Sequence, residues 1–290
     1  IIWHCKADAG VKLCLLCRNV VSAESELADV DDDGDVRCDI IDAKELDLVT
    51  NDELIEACSR VHHFRLIDPP DVFRVRQIAN GFTYKGYNML VDQTIRHVLR
   101  PADQFMHDWM HGLFSSGVFN VLMHYVIERL EAARVDPYGL LRDYMQKRHM
   151  PKRLRKFDAA KAFEKSRRKG NRDDKKFRCS ASDGLTLFPL LAFWVKTFCI
   201  PAGKAVRACE VLVAFCQMAE LFTIVACGVV TPDQLSEAVE KFLDMFMGEF
   251  GTAPWVSKFH WLLHYPRELR RHGTLYACWV HERKLSLIHI

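Results

Sequence analysis

The chain has no internal repeat and no stretch laid out like a secretory signal, and its eleven cysteines, an odd number, include one C-x-x-C pair. With most of the cysteines scattered through apolar segments, a reducing intracellular compartment is expected in preference to a disulfide framework. Long uninterrupted apolar runs are also lacking. The most apolar stretch, 211–230, carries Gln217 and Glu220 in its middle and lies between Pro201 and Pro232. It reads as a buried core helix, and no membrane partner is expected. Charge of one sign is scarce as well, with a net charge of only +2.

That near-neutrality hides an asymmetry. Residues 147–178 hold fifteen Lys/Arg against four Asp/Glu, a net of +11, so the remainder carries −9 to reach +2. The acidic counterpart lies in 24–56 and includes Asp31-Asp32-Asp33. A basic patch of this size can neutralise phosphates, with Arg167, Arg168 and Lys169 as the leading contacts, and Phe157, Phe163 and Phe177 either stack on bases or pack inward. The rival reading is a solvated face or a localisation signal. With 290 residues, 49% of them hydrophobic, the chain can bury a sizeable core. Its start at Ile1 reads as that of a fragment, and residues 285–290 read as an adapter-derived tail outside the fold.

Residues 1–20 read as a Cys-bearing turn and 21–56 as an acidic connector, with 47–58 suited to a short helix. Strand-like letters occupy 84–91 and 275–280. Asp108 precedes a run of apolar residues from Met110 to Leu130 at helical spacing, and an Asp there can serve as an N-cap. Helices are expected over 187–198, 204–229 and 232–250, the last with Thr231 as N-cap, Pro232 at its first position and Gly251 beyond its end. A further helix over 257–271 should break or kink at Pro266 and stop at Gly273.

Cys14-x-x-Cys17 has the spacing with which two thiolates share a tetrahedral zinc ion. Cys5 is the natural third ligand and Cys38 the fourth, with His4, His62 and His63 as rivals; the bland alternative is a set of small buried cysteines. His260 and His264, one helical turn apart, can share a metal or simply pack in a core. Asp29 to Gly34 imitates the opening of a calcium loop, but Ile40 stands at its twelfth position, so a solvated acidic loop is favoured.

Three islands occur in a telling order: the Cys-bearing turn His4-Cys5-Lys6-Ala7-Asp8-Ala9-Gly10 with its C-x-x-C; then Asp108-Trp109-Met110-His111; then His260-x-Leu262-x-His264-x-x-x-Glu268, Gly273 and Trp279-Val280-His281-Glu282-Arg283. Together they resemble the transposases of the CACTA (En/Spm) superfamily. The resemblance implies an α/β fold, an RNase H-like core interrupted by a large, mostly helical insertion. The segments would be 1–60 for the Cys-bearing turn and connector, 61–124 for the core part with Asp108, 125–255 for the insertion, and 256–284 for the core part with Glu282.

It further implies cut-and-paste DNA strand cleavage and transfer with Mg²⁺ or Mn²⁺ held by Asp108 and Glu282. Arg283 would steady Glu282 or a phosphate, DNA is the partner, the nucleus is the site of action, and self-assembly into a homo-oligomer is compatible with it. For Glu282 the plain alternative is a surface ion pair. The first carboxylate of the family pattern is expected upstream of the Cys motif, before Ile1, so the chain as given is expected to be inactive. The alternative function is a non-enzymatic, zinc-dependent DNA-binding or interaction protein derived from such an element.

Overall fold

A computed structural model describes residues 14–20, 42–86, 89–148 and 158–277. The protein is about 66% helical, and no strand forms among the described residues. The expected α/β RNase H-like core is thereby overturned. Strand-like letters fail because a strand needs a neighbouring ladder for its backbone groups. Around Tyr84 the chain turns instead, and the Tyr84 N–H donates to the Gln77 side-chain oxygen at 3.1 Å. The extended start of the second expected strand gives its Tyr276 carbonyl to the Trp109 N–H at 3.1 Å.

The chain divides into two compact units, 1–106 and 107–290. In the first, the turn at 14–20 is pinned by an antiparallel bridge between Cys17 and Leu48. Helix α1 (Asn51–Ile67) begins on a capping box: Thr50 accepts from the Glu53 N–H, and the Glu53 carboxylate accepts from the Thr50 N–H. Helix α2 (Pro70–Ala79) starts on proline, whose missing N–H costs nothing at that position. The short α3 (Pro101–Gln104) is tied to α1 by the Asn51 side chain, which accepts from the Ala102 N–H at 2.9 Å. Leu15, Cys58, Val61, Phe82 and Leu90 form the core of this unit.

The second unit comprises α4 (Trp109–Leu113), α5 (Val118–Ala132), α6 (Pro137–Gln146), α7 (Arg167–Asp173), α8 (Ala181–Trp194), α9 (Val206–Ile224), α10 (Pro232–Phe250), α11 (Ser257–Trp261) and α12 (Tyr265–His272). The single helix expected after Asp108 is two, because the chain turns through Ser116 at φ +46° into Gly117. A Cβ on Gly117 would strike the Gly112 carbonyl and the Leu113 backbone, so glycine permits that close approach. Helix α9 packs against α5, α8 and α10. With its 3₁₀ end it is long and apolar enough to cross a membrane, yet most of it is buried inside this unit.

The core of this unit is aromatic. Phe215 meets Phe119 at 5.7 Å and Phe242 at 5.5 Å, and Phe246 meets Phe259 at 4.7 Å. Each such burial contributes about 1.5–3 kcal/mol. Helix α10 matches its expected bounds, with Thr231 capping and Gly251 ending it. The segment from Ser257 to Gly273 breaks before Pro266, leaving α11 and α12. The basic stretch supplies a 3₁₀ turn (Ala159–Phe163) and α7. Phe163 and Phe177 are fully buried and stack on each other at 5.3 Å, so both aromatics pack inward; Phe157 lies outside the described residues.

Candidate metal centre

The Cys14–Cys17 turn is shaped by its own backbone. The Leu16 N–H donates to Cys14 Sγ at 3.4 Å, the Val49 N–H to the Leu16 carbonyl at 3.0 Å, and the Arg18 N–H to the Asp47 carbonyl at 2.7 Å. An N–H aimed at a sulfur favours the thiolate, the form that binds metal. Both cysteines are buried, Cys14 at 1% exposure and Cys17 at 0%.

His260 lies in α11 and His264 at the N-cap of α12, one turn apart and buried. Their Nε2 atoms stand 3.0 Å from each other. Such a pair is either a donor and an acceptor or two lone pairs converging on one ion. The ligand atoms of Cys14, Cys17, His260 and His264 all lie within 4.8 Å of one another, and this buried group can hold a metal ion such as zinc. The donor set fits: bonds of about 2.3 Å to sulfur and 2.0–2.1 Å to nitrogen give tetrahedral edges of about 3.3–3.8 Å. Among the described residues it is the one gathering of three or more metal-ligating side chains.

The side chains that converge on Cys14 and Cys17 among the described residues are thus the two histidines read from the sequence as a separate pair. Of the rivals, His62 engages the Tyr84 hydroxyl at 2.9 Å and His63 is exposed. Cys5, Cys38 and His4 lie outside the described residues, as do Glu282, Arg283 and the acidic loop at Asp29.

The histidine pair has a built surround. His107 stacks on His264 with ring centroids 5.0 Å apart, and its Nδ1 donates to Glu268 Oε1 at 2.5 Å. Glu268 also accepts from the His107 backbone N–H at 3.1 Å. Sequence reading assigned no role to His107 or Glu268, although the spacing 260, 264, 268 puts three polar residues on one helical face, which was the available signal.

Asp108 caps α4. Its Oδ1 accepts from the Met110 N–H at 3.0 Å and the His111 N–H at 3.4 Å, and its Oδ2 accepts from His111 Nδ1 at 2.7 Å. The Tyr265 hydroxyl donates to the Asp108 carbonyl at 3.2 Å. Burial, followed by the nearby Glu268 and Asp108 charges, holds the Tyr265 phenol well above its ordinary value. Lys258 Nζ donates to the Ser115 carbonyl at 2.5 Å. Burial pulls that ammonium down to about 8, with Lys176 reinforcing the shift and Asp108 opposing it.

Of the expected DNA contacts, Arg168 pairs with Glu131 at 2.8 Å, Arg167 donates to the Arg178 carbonyl at 3.1 Å, and Lys169 is exposed. No protein-family model, curated protein or solved structure matches the chain.

Proposed function

We propose that the protein is a zinc-stabilised DNA-binding protein derived from a cut-and-paste transposase. The observation that carries the reading is the convergence of Cys14, Cys17, His260 and His264 within 4.8 Å. Four protein ligands complete a tetrahedron, so bound zinc would supply a cross-link and leave no open position for chemistry. The thiols would ligate as thiolates, one of them steadied by the Leu16 N–H, and the imidazoles through Nε2.

The transposase part rests on the resemblance and is supported by one packing fact. The Asp108-Trp109-Met110-His111 turn is fastened to the histidine-bearing segment by the Tyr265 hydroxyl on the Asp108 carbonyl and by Glu268 on His107. Two of the resembling islands are therefore neighbours. The excess of +11 over residues 147–178 favours a phosphate backbone as partner.

Strand cleavage with Mg²⁺ at Asp108 is the second reading, and it rests on the sequence resemblance alone. It is the weaker one, since Asp108 already accepts three hydrogen bonds from its own helix start. Metal analysis of protein purified without chelators tests the first reading: about one zinc per chain is expected, lost in Cys17→Ser and in His264→Ala. Zinc-free protein whose Cys14 and Cys17 react freely with alkylating agents would overturn it. Mg²⁺-dependent nicking of duplex DNA, abolished by Asp108→Asn, would instead establish the second.

A further inference from the structure

Helix α8 does not end as an α-helix. It runs into a π-helical turn, Val195–Cys199, in which the Ile200 N–H reaches back to the Val195 carbonyl at 3.0 Å. Residues five apart on an α-helix point about 140° away from each other, and the wider π turn reduces that divergence. Phe193 and Phe198 straddle this turn, and both are about half exposed, at 52% and 50%. Their neighbours Leu191, Trp194 and Val195 are buried, so the two rings occupy the outward side.

On α6, Leu140 and Tyr144 lie one turn apart on one face, while Leu141 and Met145 point into the core, and Arg148 follows just beyond the helix end. Tyr144 and Phe198 meet edge-on with centroids 6.1 Å apart. The Arg148 guanidinium lies 4.1 Å from the Tyr144 ring centre and 5.4 Å from that of Phe193. Three aromatic rings and a guanidinium plane thus form one connected surface. We propose that Tyr144, Arg148, Phe193 and Phe198 are a stacking platform for the bases of single-stranded DNA. The proposal rests on the reading that the chain handles DNA, and not on the metal group.

Charge favours this occupant. Segments 140–148 and 190–199 carry Arg142, Lys147, Arg148 and Lys196 against Asp143 alone, four cations less one anion, or +3. Lys147, Arg148 and Lys196 are exposed. Aromatic rings interleaved with cations are the arrangement that holds unpaired bases by their π faces and the backbone by its charge, with little sequence preference. Duplex DNA keeps its base faces stacked and cannot use such a surface. A lipid-inserting face keeps its cations at the rim, whereas here the guanidinium lies over the rings.

The test is fluorescence anisotropy with the full chain, a labelled 20-mer of deoxythymidine and a duplex of the same length. Phe193→Ala/Phe198→Ala should weaken binding to the single strand about tenfold or more while duplex binding changes little. Phe193→Tyr/Phe198→Tyr should retain it. A Phe193→Trp protein, whose fold is the least disturbed, should show indole quenching on adding the single strand. Equal single-strand affinity of wild type and the double alanine variant overturns the platform and leaves the DNA reading standing. Binding to neither oligonucleotide overturns both. If binding to vesicles of phosphatidylserine and phosphatidylcholine, and not to the oligonucleotide, is what the double alanine variant loses, the patch is a lipid face and the proposal falls.

Discussion

His107 Nδ1 lies 2.5 Å from Glu268 Oε1 although the two residues are 161 positions apart in the chain, and both side chains are buried. The same carboxylate accepts the His107 backbone N–H, so one side chain satisfies two donors at the start of the Asp108 turn. Removing it leaves both buried donors without that acceptor. Glu268→Ala should therefore lower unfolding stability by about 3 kcal/mol or more, and Glu268→Gln, which keeps an acceptor for the N–H, by less. Urea denaturation of the two variants checks this order. Equal losses would mean that packing, and not hydrogen bonding, sets the contribution.

Zinc removal gives a second expectation. An ion that binds only the folded state stabilises it by about 2.7 kcal/mol at a hundredfold excess over its Kd, so a strong chelator should lower Tm and added zinc should restore it. Thiol labelling should follow burial. Cys227 is exposed and should react first. Burial pushes the Cys58 thiol up to about 11 and the Cys179 thiol up to about 12, so both should be slow. Cys14 and Cys17 should become reactive on chelation, read by mass spectrometry of alkylated peptides.

What was legible in the sequence is what local chemistry determines. Thr231, Pro232 and Gly251 bound α10 as their types dictate, and Pro266 and Gly273 mark the break and end of the last helices. Asp108 also fills the N-cap role that any Asp before an apolar helix can take. The sheet was misread because strand-like letters at Tyr84 and Tyr276 say nothing about whether a partner strand exists. Half of the metal group was visible as Cys14-x-x-Cys17. Its completion by His260 and His264 was not, since a contact between residues some 245 positions apart, roughly the chain separation of the two pairs, leaves no local signature. The π turn beneath Phe193 and Phe198 was equally invisible, being a hydrogen-bond register and not a composition.

Gly117 and Gly112 make a contrasting pair. At Gly117 an added methyl meets backbone, the Gly112 carbonyl and Leu113, which cannot swing aside. At Gly112 it meets the Tyr265 hydroxyl and ring, in a fully buried side chain. Overpacking of this kind costs about 1–3 kcal/mol. Gly117→Ala should destabilise at the upper end of that range. Gly112→Ala should additionally disturb the Tyr265–Asp108 hydrogen bond, and the double variant with Tyr265→Phe should recover part of the loss. Thermal melts of the three proteins decide it, and a neutral Gly117→Ala would refute the close-approach argument.

Acid lability should trace to Glu53. Its hydrogen bonds from Arg18, followed by those from Thr50, lower its carboxyl from 4.5 to about 2. Arg18 grips both of its oxygens, at 2.8 and 2.7 Å. A depressed folded-state value means that this stabilisation is fully present above about pH 4.5 and is lost as pH falls through about 2. The gap in Tm between wild type and Glu53→Gln should thus be widest near neutrality and close across that window. The pair is exposed, so the gap should also shrink with salt. A gap that is constant from pH 6 to pH 2 would assign the effect to the cap geometry and not to charge.

Binding of duplex DNA by the basic stretch should be carried by the cations that the fold leaves uncommitted. Arg168 and Arg172 both pair with Glu131, at 2.8 and 3.2 Å, and Arg178 is held by Asp174. Lys169 and Lys175 are exposed and enter no ion pair among the described residues. Each phosphate neutralised releases counterions, giving a slope of about −0.9 in log affinity against log salt. Lys169→Ala/Lys175→Ala should therefore flatten the slope by about two contacts' worth without changing Tm, because exposed charges add little to stability. Arg168→Ala should leave the slope nearly unchanged, since Arg172 still neutralises Glu131. The reverse order, with Arg168 dominating the salt dependence, would show that the Glu131 pair opens on DNA and that the free protein's ion pairs do not predict its contacts.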